Sequence, residues 1–322
     1  MTHPDGVRPP RHALHELNAH ADPACPDSVQ AAIEAIFDRR FGRSWAQSVL
    51  ARAFDDVTRA YRGDFPGLLP CDTPYHDLRH TLDTALVMAR LVDGHEEAMA
   101  RTKGHPLGAE LCLIGVLLAM FHDIGFLRHD NESSLAGAQL VQIHELRGVE
   151  FTTAFLRRNG LQRYQLLAPL ILSTAFRANL DNLFSTHDDT EVKLACMMAS
   201  ADVLSQLSDR FYLERCRDFL YQEFVVGGLD RIRRSDGAES IIYTSSEDLL
   251  RKTPWFFESV IMKRLEHELR GAYRYLDDHF GGQNPYVSSM FANINFLKEV
   301  VASEDFSRLR RHPQPLYCVR AA

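Results

Sequence analysis

His122 and Asp123 stand side by side where the most apolar segment of the chain ends, in AMFHDIGFL. An uncompensated charge at such a place loses several kcal/mol of solvation, so it must be paired or hold a cation. In TPYHDLRHTLDTALVMARLVDG, His76 and His80 are four residues apart, a spacing that stacks both imidazoles on one helical face, a turn from each other. One can then ligate a metal while the other points at a substrate a few ångströms beyond. In EVKLACMMASADVLSQLSDR, Ala195, Met198, Ala199 and Asp202 fall on one face in steps of three and four, and an aspartate on that small-residue face wants a cation. Each feature taken alone has an ordinary explanation. His122 and Gly125 can close a helix, paired histidines can decorate a surface, and Asp202 can cap a neighbour or pair with an arginine such as Arg210. Together, one histidine on a helix, the His122–Asp123 pair and Asp202 offer two nitrogen and two oxygen ligands from three helices, a set suited to a divalent transition metal.

The elements that must position these groups read as helices. The helical period runs through about 28–41, 44–62, 74–93, 109–124, 132–145, 149–159, 162–176, 189–206, 208–225, 254–278 and 286–303. Residues 109–121 are apolar on every side apart from Glu110, the pattern of a helix buried all round. For the segment with the two histidines, Thr73 is the expected cap, Pro74 the first helical position and Gly94 the stop. Strand signals are nearly absent, and the best of them is SIIYTS at 240–245. The expected fold is therefore all-α, a helical bundle with a metal site between helices. Residues 1–27, rich in Pro, His and Asp without a period, are expected to form a flexible arm. Residues 28–226 would form the metal-bearing domain. From Gly227–Gly228 and the charged loop DRIRRSDG onward, 227–322 would add a C-terminal helical layer packed on it.

With 322 residues, 45% of them hydrophobic, the chain can bury a full core. Its net charge of −7, from 36 basic and 43 acidic side chains, argues against a basic surface for large nucleic acids, so an anionic partner must be held by local groups. Six cysteines without a CxxC pair are expected to be free thiols of a cytoplasmic protein. The longest unbroken apolar run, LCLIGVLLAMF, has 11 residues, short of the roughly 20 that span a bilayer, and no membrane or export segment is expected.

The ordered set His80, His122–Asp123 and Asp202 resembles the HD superfamily of metal-dependent phosphohydrolases. More narrowly, YHDLRH looks like the YHNxxH segment of the class I cyclic-nucleotide phosphodiesterases, and ILST at 171–174 and the helix with SADV are similar to their later segments. The resemblance covers roughly residues 70–225. It implies that His80, His122, Asp123 and Asp202 hold a first metal, that Asp123 also reaches a second, and that His76 gives a proton to the leaving oxygen. Asp77 stands where those enzymes have Asn, Ala175 where their ILST-like segment continues with an acid, and HDIGFLRHDNESS lacks their HDxDH pattern. The substrate-binding residues therefore do not transfer, and Gln206 and Gln222 are only available amides for gripping a base. HDIGF followed by HELRGVEF is also similar to more distant HD proteins in which a later histidine joins a two-metal centre. His144 can serve so, or can be an imidazole near a helix end. Glu132 can orient a water or a ligand histidine, or sit in a helix first turn. His129 and His187 read as loop residues.

The expected activity is hydrolysis of a phosphate ester, foremost a phosphodiester of a cyclic nucleotide, with one or two Mn, Mg, Zn or Fe ions as cofactor and His76 as general acid. A nucleotidase or other phosphomonoesterase of the same superfamily, a di-iron oxygenase for which His144 must ligate, and a non-catalytic metal-stabilised binding module are the alternatives. The partner is expected to be a small phosphorylated molecule. The C-terminal helices at 254–303 would cover the pocket or form the face of a homodimer.

Overall fold

A computed structural model describes residues 21–43, 45–233 and 238–318. The expectations for residues 1–20 lie outside the described residues. The apolar periods become α1 (Pro26–Phe41), α2 (Gln47–Arg62), α3 (Leu78–Thr102), α4 (Gly108–Phe121), α5 (His144–Arg158), α6 (Asp189–Ser208), α7 (residues 212–227), α8 (Ser246–Phe256) and α9 (Pro285–Ser303). The fold is all-α; the strands among the described residues are β1 (Arg231–Arg233) and β2 (Glu239–Ile241), an antiparallel hairpin with Ile232 opposite Ser240. Every side chain of α4 from Cys112 to Phe121 is buried, as its uniformly apolar sequence requires. The stretch Gly108–Phe126 has the length and composition of a membrane span, and 83% of it is buried inside the protein, where α3 and α6 pack against α4. Val29 of α1 and Ile294, Leu297 and Val300 of α9 belong to one contiguous hydrophobic core, so the C-terminal layer shares the core of the preceding helices. The six cysteines are all free.

Several elements depart from the sequence pattern for identifiable reasons. Residues 21–27 are not a loose arm: Ala21 is buried, the Asp22 N–H donates to Ser28 Oγ at 2.9 Å, and α1 begins at Pro26. α3 starts four residues after Pro74 and is capped by Asp77, whose side chain accepts from the His80 N–H; Thr73 instead donates to the His76 carbonyl. Gly94 does not end α3, which runs on to Thr102. It is where the short helix Tyr275–His279 crosses, so closely that a Cβ at 94 would lie 1.8 Å from the Tyr275 carbonyl oxygen. The helix expected over 132–145 is replaced by 3-10 turns at Asp130–Glu132 and Gly137–Leu140, where the side chains of Glu132 and Gln139 take backbone N–H groups. The segment Gln162–Thr174 is wound as a 3-10 helix around Pro169, which has no N–H to give an α-helical ladder. The helix expected over 254–278 begins at Ser246 and loosens into π turns at Phe257–Ile261 and Arg264–Glu268.

The Gly94 contact sets helix propensity against packing. Gly94→Ala should gain up to about 1 kcal/mol of propensity, but it must push two backbones apart, at a cost of about 1–3 kcal/mol. A net loss of stability in urea unfolding is expected.

Candidate metal centre

The site begins at the entry to α3. Asp77 Oδ1 accepts from the His80 N–H at 3.1 Å and also faces the Arg215 guanidinium at 3.1 Å, while its Oδ2 accepts from the Leu316 N–H at 2.7 Å. Arg215 also donates to the Tyr75 carbonyl at 2.5 Å. Eight residues along α7, Glu223 accepts from the Tyr75 N–H at 2.5 Å and holds His76 Nδ1 at 2.6 Å. At about 100° per residue, eight helical steps would leave Arg215 and Glu223 about 80° apart; the π turn Cys216–Leu220 absorbs one step and turns both to the same side. His76 thus precedes α3 and does not share a helical face with His80, contrary to the four-residue spacing. The two rings nevertheless meet edge-on, with centroids 5.9 Å apart.

His122 sits one residue beyond α4, still in helical conformation, and its Nδ1–H donates to the Ala119 carbonyl at 2.7 Å. A carbonyl only accepts, so that proton is on Nδ1 and the Nε2 lone pair is free to point away. The turn after it is pressed against α5. A Cβ on Gly125 would lie 1.9 Å from the His144 carbonyl oxygen, and one on Gly148 2.8 Å from that of His122. This approach carries His144 to the site, and its Nδ1 donates to the Val141 carbonyl at 2.9 Å, leaving Nε2 the free nitrogen.

Four of the expected ligands converge. His80 Nε2 is 3.2 Å from Asp123 Oδ2 and 3.2 Å from Asp202 Oδ1; His122 Nε2 is 3.2 Å and 3.5 Å from the same two oxygens. His80, His122 and Asp123 form the tightest group, with one donor atom from each within 4.8 Å of the others. His80 Nε2, His122 Nε2 and Asp123 Oδ2 are buried and make no hydrogen bond within the protein. Such lone pairs facing one another need a cation or a proton between them. The group can therefore hold a metal ion, and its two imidazole nitrogens and carboxylate oxygen fit a divalent transition metal. Asp202 lies beside it and also takes the Gln206 amide N–H at 2.7 Å; Arg210 does not pair with it. His144 Nε2 faces the other oxygen of Asp123, Oδ1, at 3.5 Å.

In the protein alone, protons do the balancing. Burial disfavours a charged His80, yet Asp123 and Asp202 outweigh it and lift its pKa to about 9 from an ordinary 6.5. His122 is raised likewise, against burial, first by Asp123. Burial would raise both aspartates, but His122 and His80 hold them well below the usual carboxylate range. Burial pushes His144 down, which keeps it neutral and fit to ligate.

Glu132 takes no part in this. Arg147 occupies both of its carboxylate oxygens at 2.8 and 2.9 Å and the His129 N–H one of them, as a turn cap. His129 and His187 are loop residues held by Gly67 O and Glu191. Gln222 is exposed, and Gln206 is committed at both ends, donating to Asp202 and accepting from Tyr75 OH at 2.9 Å. Sequence reasoning missed Glu223, Arg215 and Phe126. The Phe126 ring lies between two imidazoles, stacked 4.6 Å from His76 and 4.0 Å from His144. Asp123, His76, His144 and Asp202 line one part of a cavity of about 540 Å³. No protein-family model and no curated protein matches this chain.

Because the raised pKa of His80 belongs to the folded state, its contribution to stability is present below pH 6.5 and fades as the pH passes about 9. Metal-free protein should therefore melt at a lower temperature at pH 9.5 than at pH 6.5. Metal uptake at pH 7 should release protons, and metal affinity should rise towards pH 9. Titration calorimetry in buffers of different ionisation enthalpy checks the proton release, and its absence would remove His80 and His122 from the metal.

Proposed function

We propose that the chain is a metal-dependent hydrolase of a phosphate ester, of the type the HD resemblance implies. The observation that carries this reading is the buried set of unpartnered donors, His80 Nε2, His122 Nε2 and Asp123 Oδ2, at a cavity large enough for a small-molecule substrate. When bound there, a divalent cation supplies charge to offset the phosphoryl oxygens and acidifies a water molecule. His80, His122, Asp123 and Asp202 would hold it. Asp123 turns Oδ2 towards His80 and His122 and Oδ1 towards His144, an arrangement that suits one carboxylate shared between two cations.

His76 is the general acid. Glu223 takes its Nδ1–H, which fixes the tautomer and leaves Nε2 as the nitrogen that can deliver a proton to a leaving oxygen in the cavity. Stacking on Phe126 keeps that ring from swinging out. A purely structural site has no use for such an oriented imidazole beside a cavity. The His144 position supports a second reading, a di-iron oxygenase, which oxygen uptake by iron-loaded protein would reveal.

His80→Ala should lose metal and turnover together. His76→Ala and Glu223→Gln should keep the metal and lose about 10²–10⁴-fold and a smaller factor, respectively, in kcat for an alkyl leaving group. Both losses should shrink for a nitrophenyl leaving group, whose anion needs no proton. Metal analysis beside the rates on both substrates decides it: equal losses on the two substrates would deny His76 its proton.

A further inference from the structure

The cavity beside the metal ligands is walled by hydrocarbon. Phe224, Leu229, Ile242, Leu249, Phe256 and Ile261 line it, contributed by α7, the flanks of the β hairpin, and the helical run that starts with α8. Most of its polar groups are spent on the protein itself; the Gln142 amide and the Tyr243 hydroxyl are the lining groups without such a bond. Thr174 Oγ1 donates to the Ile171 carbonyl and Thr253 Oγ1 to that of Leu249, and the Gln206 amide is held at both ends. A nucleobase placed here would lose its hydrogen bonds to water and find few in return, at a cost for each polar atom left bare.

The charges lead to the same conclusion. Arg177 and Lys252 are the lysine and arginine side chains on the cavity wall. Arg177 is bound by Glu145 at 2.7 Å and by the Gln142 carbonyl at 2.9 Å, and Lys252 by Asp248 at 2.8 Å and the Ile242 carbonyl at 2.5 Å. Both charges are thus already paired within the protein. One phosphoryl group can be neutralised, at the metal ligands. Away from them the apolar surface continues outwards through Phe176, which lines the cavity and is 49% exposed, with its ring against Phe256.

We infer that the substrate is an ester with a single phosphoryl group and an apolar body, alkyl or aryl, rather than a nucleotide. The inference rests on the phosphate-ester reading for its reactive end. Its apolar end rests on the cavity alone.

The test uses the full chain loaded with manganese and the methyl, butyl and octyl esters of p-nitrophenyl phosphate, beside a cyclic nucleotide and a nucleoside monophosphate. kcat/KM should rise about three- to fourfold per added methylene until the cavity is filled, and the octyl ester should surpass both nucleotides. Ile242→Glu and Phe256→Glu, on half-buried stretches of wall, should flatten the series. A flat series in the unaltered protein, or a nucleotide as the best substrate, overturns the inference. A second arm measures binding of octyl phosphate, butyl phosphate and adenosine monophosphate by calorimetry. Tight, chain-length-dependent binding of the alkyl phosphates without turnover of any ester would uphold the apolar body and refute the hydrolase reading. Binding that ignores chain length would refute the apolar body whatever the turnover.

Discussion

Two side chains of α7, opposite in charge, hold the segment Tyr75–Asp77 from both sides, and the site depends on that grip. Arg215 takes the Tyr75 carbonyl and the Asp77 carboxylate; Glu223 takes the Tyr75 N–H and the His76 ring. Asp77 in turn caps α3 at the His80 N–H, so the positions of a candidate metal ligand and of the neighbouring His76 follow from one contact region. A buried ion pair is weak evidence for stability, because desolvating two charges offsets most of their attraction, whereas losing one partner is costly. Its effect here is placement. The π turn in α7 belongs to this device, since without it the two grips would face different ways.

Burial decides the electrostatics of the cluster. α4 and α6 surround it with apolar side chains, which keep water from screening the two carboxylates. Within that setting the nitrogen lone pairs of His80 and His122 cannot be left facing Asp123 and Asp202 without a positive charge among them. Protons and a metal ion are alternatives for the same role, and Asp123 and Asp202 raise the His80 pKa against burial. His144 differs because it meets Asp123 at a longer distance and has no second carboxylate on its Nε2 side as close as those of His80; burial therefore wins and the ring stays neutral.

What the sequence made legible was the part written in local periodicity. An all-apolar window marked α4 as central, the residues closing it marked a buried charge, and steps of three and four put Asp202 on an inward face. Contacts between distant segments left no such trace. His76 and Glu223 are 147 residues apart along the chain, and nothing near YQEF shows which imidazole its carboxylate will meet. The four-residue spacing of His76 and His80 suggested one helical face; Asp77 breaks the helix between them, and the rings come together through the turn instead. Gly94 and Gly125 looked like stops because sequence alone cannot tell a glycine that ends a helix from one that lets another backbone pass close by. Glu132 was equally available to a site and to a turn, and Arg147 settled it.

The boundary drawn near residue 226 cuts through the cavity. The candidate metal ligands come from 80 to 202 in sequence, while part of the hydrocarbon wall comes from 224 to 261. Of these later residues, Leu249 and Ile261 belong to the common core and Phe224 and Phe256 pack against it. Wall and site are joined in α7, which carries both Phe224 of the wall and Glu223, the partner of His76. A shift of α7 that widens the cavity must also move the imidazole, so that under the proposed hydrolase reading the fit of a substrate's body would be coupled to the position of the group that protonates its leaving oxygen.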